Sequence, residues 1–468
     1  MVFSSITFIC VFLPCTFLLH EIIPNIKGKN ALLIVVSLIF YAYGEPVYVL
    51  LMILSTILNW AFGRLIQKGG NQKSLLVISV VFNLGFLGFF KYASFFVDCI
   101  NSFGFAIPSP NVALPIGISF YTFQAMSYVI DVYRGEVVAQ RNYFNVLLYI
   151  AFFPQLIAGP IVKYHDIEKE LIIRHASIID KAYGLMRFCV GLGKKVLLAN
   201  TFALVADACF AADSSELSVL VAWTGAIFYM LQIYFDFSGY SDMAIGMARM
   251  FGFHFQENFN YPYISSSIKE FWRRWHISLS TWFRDYLYIP LGGSRQGKLR
   301  TVINKWIVFI LCGFWHGAGL TFILWGVMHG FFLMLEELLP IKRLPKALGI
   351  IYTLLVVCCL FVIFRADTIS QASLFLSNMF TGLSISAQSY ALFMQQMTIS
   401  NLFFLVVGIA GCTPLPKDIV NFAKSKCDTQ FKLNLLSLGQ FVGAILLLVL
   451  VFMSLASGTY NPFIYFRF

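Results

Sequence analysis

The chain has 468 residues, of which 59% are hydrophobic and 12% charged, whereas a soluble domain averages about 45–50% apolar and about 25% charged residues. Apolar runs of roughly 20 residues recur from end to end, which excludes a soluble enzyme, a disordered chain, a coiled coil and an outer-membrane barrel and predicts a polytopic membrane protein. The net charge of +11 comes from basic residues in short loops between apolar runs, which fits the positive-inside rule better than nucleic-acid binding.

The first apolar run, about 3–23, has no Lys or Arg before it and is followed by Lys27 and Lys29. This pattern indicates an uncleaved span with the N-terminus outside and the following loop in the cytoplasm. Basic and non-basic loops then alternate. The next predicted spans are 31–43, 47–66, 75–100 and 114–133.

The run 143–162 breaks this alternation, because Arg141 precedes it and Lys163 follows it. Both ends therefore have a cytoplasmic signature. Residues 153–160 are rich in helix breakers, and broken backbone is tolerated at membrane depth where protein surrounds it. We expect a re-entrant hairpin.

Eight Lys and Arg residues lie between Lys269 and Lys305, and the apolar run 306–338 that follows is interrupted at 317–319. Its two flanks are basic, which predicts a pair of short or tilted helices. The stretch 373–400 is ambiguous. The other predicted spans are 183–208, 217–235, 347–364, 401–412 and 435–456, which leave both termini extracytoplasmic.

His316 is the foremost chemical candidate, since it lies between apolar residues and the glycines Gly317 and Gly319. Eleven residues separate it from Lys305, roughly 16 Å of helical rise, which places it close to the bilayer midplane. An imidazole in apolar surroundings stays neutral and can accept a proton as a general base. The alternative is a histidine that only hydrogen-bonds between helices.

His276 lies in an aromatic and basic stretch in which helical spacing predicts one apolar stripe on an interfacial helix. One interpretation is membrane anchoring. The other is an anion-binding mouth for a phosphate-bearing acyl donor. The stripe consists of Phe271, Trp275, Leu279, Trp282 and Tyr286, and the candidate donor-binding residues are Arg273, Arg274, Trp275, Arg284 and Asp285.

Asp236 and Asp242 place two carboxylates beside an apolar span. They could orient a histidine or pair with an arginine, and helix capping is an equal alternative. We expect no disulfide framework and no metal site, because the cysteines lie mostly in apolar runs and form no C-x-x-C pair. His329 is an intermediate candidate, whereas His20, His165, His175 and His254 are expected to be ordinary interfacial residues.

The block 270–293 (EFWRRWHISLSTWFRDYLYIPLGG) and the sequence FWHGA at 314–318 resemble the membrane-bound O-acyltransferase (MBOAT) family. The resemblance is strongest to its bacterial alginate O-acetylation (AlgI-like) branch, which is related to the teichoic acid transferase DltB. Further similar stretches are 114–124, 153–160, 236–242 and 461–468.

The resemblance implies an all-α polytopic membrane fold of about eleven spans, with re-entrant and interfacial helices, around a central tunnel. It implies one MBOAT domain over 1–468, with the catalytic core at about 114–338. His316 matches the invariant intramembrane histidine of the family and His276 its second histidine.

The resemblance also implies an acyl thioester substrate, such as acetyl-CoA, on the cytoplasmic side and no bound cofactor. The acyl group would reach the hydroxyl of an extracytoplasmic acceptor, a cell-surface or secreted polysaccharide, with a secreted or membrane-anchored SGNH-hydrolase-like partner. The expected location is the bacterial inner membrane, among membrane lipids. Tyr465 is a candidate acyl relay, with interfacial anchoring as its alternative. The competing functions are direct acylation of a lipid or small molecule, an acyl-group transporter and a receptor or structural membrane protein.

Overall fold

A computed structural model describes residues 2–110, 112–339 and 344–458. These residues contain helices and no strand, as the composition predicts. The chain divides into two compact units. One comprises the described residues within Met1–Phe188 and Tyr240–Glu257, and the other those within Cys189–Gly239 and Asn258–Phe468. The expectation of one domain over the whole chain stays a prediction.

The first unit begins with a π-helical turn at Phe8–Phe12 and continues through the N-terminal helices. Asn25 caps α2, because its side-chain oxygen accepts a hydrogen bond from the Gly28 N–H at 2.7 Å. The helices that begin in this unit are α1 (Leu13–Ile22), α2 (Ile26–Ala42), α3 (Tyr48–Lys68), α4 (Gln72–Asn101), α5 (Ile118–Arg134), α6 (Tyr143–Ala151), α7 (Phe153–Leu156), α8 (Tyr164–Ile167) and α9 (Ile178–Gly193).

The remaining helices follow a π-helical segment at Lys194–Ala199. They are α10 (Asn200–Phe210), α11 (Val219–Met250), α12 (Ile268–Arg274), α13 (Ile277–Phe283), α14 (Lys298–His316), α15 (Leu320–Leu338), α16 (Lys346–Arg365), α17 (Ile369–Thr381), α18 (Ala387–Gln396), α19 (Ile399–Gly411), α20 (Leu415–Ser425) and α21 (Gln430–Ala456).

Seven helices among the described residues are long and apolar enough to cross a membrane, and an eighth span arises if α18 and α19, bent by 65°, count as one. The polytopic membrane fold is therefore confirmed, whereas the expected count of about eleven spans stays a prediction. Helices α2 and α5 have only 17 residues each. The seven are α3, α4, the segment Ile178–Phe210, α11, α15, α16 and α21.

The predicted re-entrant segment is broken in the structure. Helix α6 has nine residues, about 14 Å of rise against a hydrocarbon core of about 30 Å. It ends at Phe152, whose ψ of 114° is not helical. All residues from 146 to 164 are buried, which is the condition under which irregular backbone is tolerated in a membrane.

The predicted pair at 306–338 is present as α14 and α15, but the helices are not short. Each has 19 residues, because α14 begins within the basic segment, after Gly297 at φ +88°. The chain between them, 317–319, is extended at Gly317 and Gly319.

Candidate functional site

Helices α14 and α15 approach each other closely in the second unit. A Cβ atom built on Gly313 would lie 2.5 Å from the carbonyl oxygen of Phe322, and one on Gly326 would lie even closer to the carbonyl oxygen of Phe309. Glycine is required at both positions for this contact, as at other close crossings of membrane helices. The crossing lies one turn before the end of α14, where His316 is located.

His316 is the last residue of α14, and Gly317 leaves the helical conformation. His316 is buried, with 7% of its surface exposed. Its ring centroid lies 5.1 Å from the rings of Trp325 on α15 and Phe364 on α16. Three helices therefore place the histidine predicted as general base in an aromatic enclosure.

The expectation of one interfacial helix over the aromatic stripe is wrong, because the helix is broken at His276. The chain forms α12 and α13 instead, and His276 between them adopts the left-handed conformation with φ of 42°. Two backbone hydrogen bonds to residues 258–260 accompany this break: the Asn260 N–H donates to the Arg274 carbonyl and the Ile277 N–H to the Asn258 carbonyl, both at 2.9 Å. These bonds satisfy backbone groups at the two helix ends.

The Asn258 side chain also fixes the orientation of His276. Its Oδ1 accepts hydrogen bonds from the Ser278 N–H and hydroxyl, so His276 Nδ1, 3.2 Å away, must donate. His276 Nε2 is buried and has no hydrogen-bond partner among the described residues. Burial lowers the pKa of His276 to about 3, so the imidazole is neutral near pH 7 and Nε2 can accept a proton or a hydrogen bond.

The two predicted histidines both lie near the indole of Trp315. The Trp315 ring centroid is 6.0 Å from that of His276 and 4.9 Å from that of His316. A third histidine, His329, lies 4.6 Å from Trp325 between ring centroids. Its Nδ1 accepts a hydrogen bond of 3.1 Å from Trp272 Nε1. This bond between α12 and α15 favours a packing role for His329.

A cavity of about 190 Å³ lies beside this aromatic group. Lys269, Arg284 and Lys305 are its basic residues, of which Arg284 forms an ion pair with Asp285 and Lys305 one with Glu337. Its walls are otherwise almost entirely apolar, with Ser280 as the exception, and consist of Trp272, Leu279, Phe283, Tyr288, Val308, Phe309, Cys312 and Leu333. This combination suits a ligand that joins an anionic part to an apolar part.

One face of α14 joins the cavity to His316. Lys305, Phe309 and Cys312 line the cavity, and His316 follows Cys312 by four residues. Residues at spacings of three and four share a helix face. The cationic end of the cavity and His316 are therefore about 16 Å apart along one helix.

Comparison with known proteins identifies the family of this chain. The sequence model of MBOAT, the membrane-bound O-acyltransferase family, matches residues 136–381, a range that includes both histidines and the cavity. The chain belongs to the membrane-bound O-acyltransferase family. It is an O-acyltransferase and a multi-pass membrane protein, as the resemblance of its motifs predicts.

Three relatives show the range of similarity. "Probable alginate O-acetylase AlgI" of Pseudomonas aeruginosa is 45% identical over 384 residues, 80% of this chain and 73% of the relative. "Peptidoglycan O-acetyltransferase" of Helicobacter pylori is 32% identical over 518 residues, 100% of this chain and 98% of the relative. "Teichoic acid D-alanyltransferase" of Bacillus subtilis is 29% identical over 280 residues, 55% of this chain and 70% of the relative. The similarity to the AlgI-like branch and the relation to the teichoic acid transferases are thus confirmed.

The predicted donor-binding residues separate in this MBOAT structure. Arg284 lines the cavity and donates to Asp285 at 2.7 Å. Arg274 instead donates to Glu270 at 3.0 Å, Arg273 is exposed, and Trp275 packs on Phe271. Their role in donor binding stays a prediction.

Sequence reasoning missed two cavity residues, Lys269 and Lys305. Both bound the basic segment that the sequence suggests as a docking mouth for a phosphate-bearing thioester, but neither is among the candidate donor-binding residues. Lys305, Phe309, Cys312 and His316 recur at helical spacing, and this pattern could have identified the face of α14 that lines the cavity.

Asp236 and Asp242 both lie inside α11, where a capping role has no place. Asp236 lies 2.6 Å from Lys195 Nζ, and both side chains are at most 4% exposed. Asp242 accepts hydrogen bonds of 3.0 and 2.8 Å from Arg187, the arginine pairing considered above. Tyr465 lies outside the described residues.

Among the described residues, one group could offer metal ligands: Asp131, Glu136 and His165 in the first unit. His165 Nδ1 is already hydrogen-bonded to Asp131 Oδ2 at 3.0 Å. This bond raises the pKa of His165, and it already engages the ring nitrogen that faces the carboxylate. We assign no metal to it.

Proposed function

We propose that this O-acyltransferase transfers an acetyl group from a cytoplasmic thioester such as acetyl-CoA, through a membrane tunnel, to a hydroxyl of an extracytoplasmic polysaccharide. The names of the alginate and peptidoglycan O-acetylating relatives support the acetyl group and the polymer class. We place the enzyme in a bacterial inner membrane with both termini outside, and the whole chain, 1–468, in one catalytic domain.

The observation that carries the proposal is the cavity on the face of α14 that ends at His316. The basic residues Lys269, Arg284 and Lys305 suit the phosphates of coenzyme A. The apolar wall suits the thioester end of the donor. These cations belong to the basic segment predicted to be cytoplasmic, which is the side where the donor is made.

In the proposed reaction His316 takes the proton of the acceptor hydroxyl while the oxygen attacks the thioester carbonyl. The ester C–O bond forms, the C–S bond breaks, and the coenzyme leaves as a thiolate that takes the proton back from His316. General base catalysis of this kind contributes about 10²–10⁴-fold in rate, and alignment of the reactants adds more. We assign His276 to the same site, where its Nε2 can accept a hydrogen bond from a substrate group other than the reacting hydroxyl, whose single proton goes to His316.

An extracytoplasmic polymer is larger than a membrane cavity. We therefore propose a secreted or membrane-anchored SGNH-hydrolase-like partner that completes transfer, with Tyr465 as a candidate relay. Peptide mass spectrometry under turnover tests the relay, and the absence of an acetyl adduct on Tyr465 would contradict it.

The test of the function uses purified full-length protein and acetyl-CoA labelled in the acetyl group, with the polysaccharide fraction and candidate partner added. His316→Ala should abolish label transfer and leave the folded yield unchanged. His254→Ala is the matched control, because His254 is an exposed histidine that binds Glu170 at 2.6 Å in the other unit. A fully active His316→Ala protein would overturn the catalytic assignment. Label in lipid instead of polymer would indicate the competing lipid acylation.

A further inference from the structure

The first unit contains a second cavity, of about 170 Å³, that shares no residue with the cavity beside α14. Unlike the other cavity it is lined mainly by polar groups. Its charged and titratable residues are His20, Glu21, Lys29, Arg174, His175 and Lys181.

These residues come from two separate stretches of sequence. The end of α1 and the first turn of α2 supply one group, and residues 174–181 supply the other. The positive-inside pattern independently assigns both stretches to the cytoplasmic side. The cavity therefore lies where the first unit meets the cytoplasmic headgroup layer.

The positive charge of the cavity is not balanced within the protein. Glu21 forms an ion pair with Lys181, whereas Lys29 and Arg174 form no ion pair among the described residues. Arg174 donates to neutral oxygens, from Nε to the Phe251 carbonyl at 3.0 Å and from Nη1 to Asn30 Oδ1 at 2.6 Å and the Glu170 carbonyl at 3.1 Å. The Glu170 carboxylate lies near enough to interact with its charge without forming an ion pair. Apart from the histidines, the lining residues carry a net charge of +2, because Lys29, Arg174 and Lys181 oppose the single carboxylate of Glu21.

Two buried polar atoms at the cavity are unsatisfied. Arg174 Nη2 is buried and has no hydrogen-bond partner among the described residues. His20 is 2% exposed, and its Nε2 likewise has no hydrogen-bond partner there. A buried guanidinium N–H without an acceptor is costly, so Arg174 Nη2 points to an anionic ligand.

Exposed isoleucines adjoin the basic residues. Ile22 follows Glu21 and is 76% exposed, Ile173 precedes Arg174 and is 81% exposed, and Ile178 is 84% exposed. Large apolar side chains at such exposure suit contact with acyl chains rather than with water. A phosphate group with attached hydrocarbon matches both the charge and this rim.

We propose that this cavity binds the phosphate of an anionic phospholipid headgroup from the cytoplasmic leaflet. Arg174 and Lys29 contact the phosphate, and His20 supplies a further hydrogen bond. Basic pockets between membrane helices on the cytoplasmic side bind anionic headgroups in this way. Such a lipid would tie the end of the first span to the loop before α9.

The experiment places full-length protein in nanodiscs of phosphatidylglycerol and phosphatidylcholine and counts retained lipid by native mass spectrometry. Lys29→Gln removes one cavity charge, and Lys27→Gln is the matched control, since Lys27 is exposed in the same helical turn and does not line the cavity. We expect Lys29→Gln to weaken phosphatidylglycerol retention about fivefold, with Lys27→Gln unchanged.

Addition of inorganic phosphate separates the two sources of the anion. Retention of phosphatidylglycerol in its presence supports a lipid site. Displacement by millimolar phosphate, or equal retention of phosphatidylcholine, would overturn the lipid assignment. Equal loss in the Lys27 and Lys29 variants would overturn the cavity as the site. Unfolding temperature in detergent confirms that Lys29→Gln is folded, and none of these readouts depends on acetyl transfer.

Discussion

Substitution of Gly313 by alanine tests whether the crossing of α14 and α15 positions His316, the residue proposed as the general base. The added Cβ would lie 2.5 Å from the Phe322 carbonyl oxygen, a backbone atom that no side-chain rotation can move. Ordinary van der Waals contact begins at 3.4 Å. The helices must therefore separate by about 0.9 Å at this point, because packed interiors leave little room for local adjustment.

The expected effect has two parts. Overpacking of this kind costs about 1–3 kcal/mol, offset by up to about 1 kcal/mol from the higher helix propensity of alanine. His316 follows Gly313 by three residues, so a shift of this size moves the imidazole relative to Trp325 and Phe364. A misplacement of about 1 Å costs on the order of 10²-fold in rate.

The assay measures acetyl transfer per folded molecule at saturating acetyl-CoA, with the unfolding temperature measured in the same detergent. Gly330→Ala is the matched control on α15, because its Cβ would meet Trp306 at an ordinary 3.4 Å. It should keep wild-type activity. If Gly313→Ala retains both wild-type rate and wild-type unfolding temperature, the crossing does not position His316.

Three further outcomes are expected. Lys305→Gln should raise KM for acetyl-CoA about threefold to tenfold, as loss of one phosphate contact does. Lys298 is exposed, and Lys298→Gln should leave KM unchanged. Equal KM values for the two variants would contradict a role of Lys305 in donor binding. Trp272→Phe should lower stability by about 1–3 kcal/mol, since it removes the N–H that His329 Nδ1 accepts from, and an unchanged unfolding temperature would contradict this. The pKa of His276 is about 3 in the folded protein and about 6.5 in the unfolded chain. Between these pH values unfolding takes up a proton, so the free energy of unfolding decreases as the pH falls below about 6.5, by about 2 kcal/mol at pH 5. The unfolding temperature of His276→Gln should fall less over the same range; parallel curves would refute the assignment.

The long apolar spans and the two histidines were predictable from the sequence because they depend on local signals. Run length and basic flanks indicate α11, α16 and α21, and the motif resemblance identifies His316 and His276. The break at His276 was not predictable in the same way. The helical periodicity of the aromatic stripe continues through it, and the break involves a backbone pairing with Asn258, eighteen residues earlier.

The cavity was only partly predictable for a related reason. Arg284 is a candidate donor-binding residue because it lies in a basic aromatic stretch, and it lines the cavity. Arg273 was selected on the same grounds and is exposed. Which residue of a basic stretch faces inward depends on how α12 and α13 diverge, and this divergence follows from the break at His276.

The buried pair of Lys195 and Asp236 has a consequence for how this chain can change over evolutionary time. Both side chains are almost fully enclosed, and loss of either partner alone leaves an unbalanced charge at a cost of about 3–5 kcal/mol. Replacement of both by apolar residues of similar volume is often neutral. The two positions are therefore expected to be inherited together, and a lineage can leave this arrangement only by a double change.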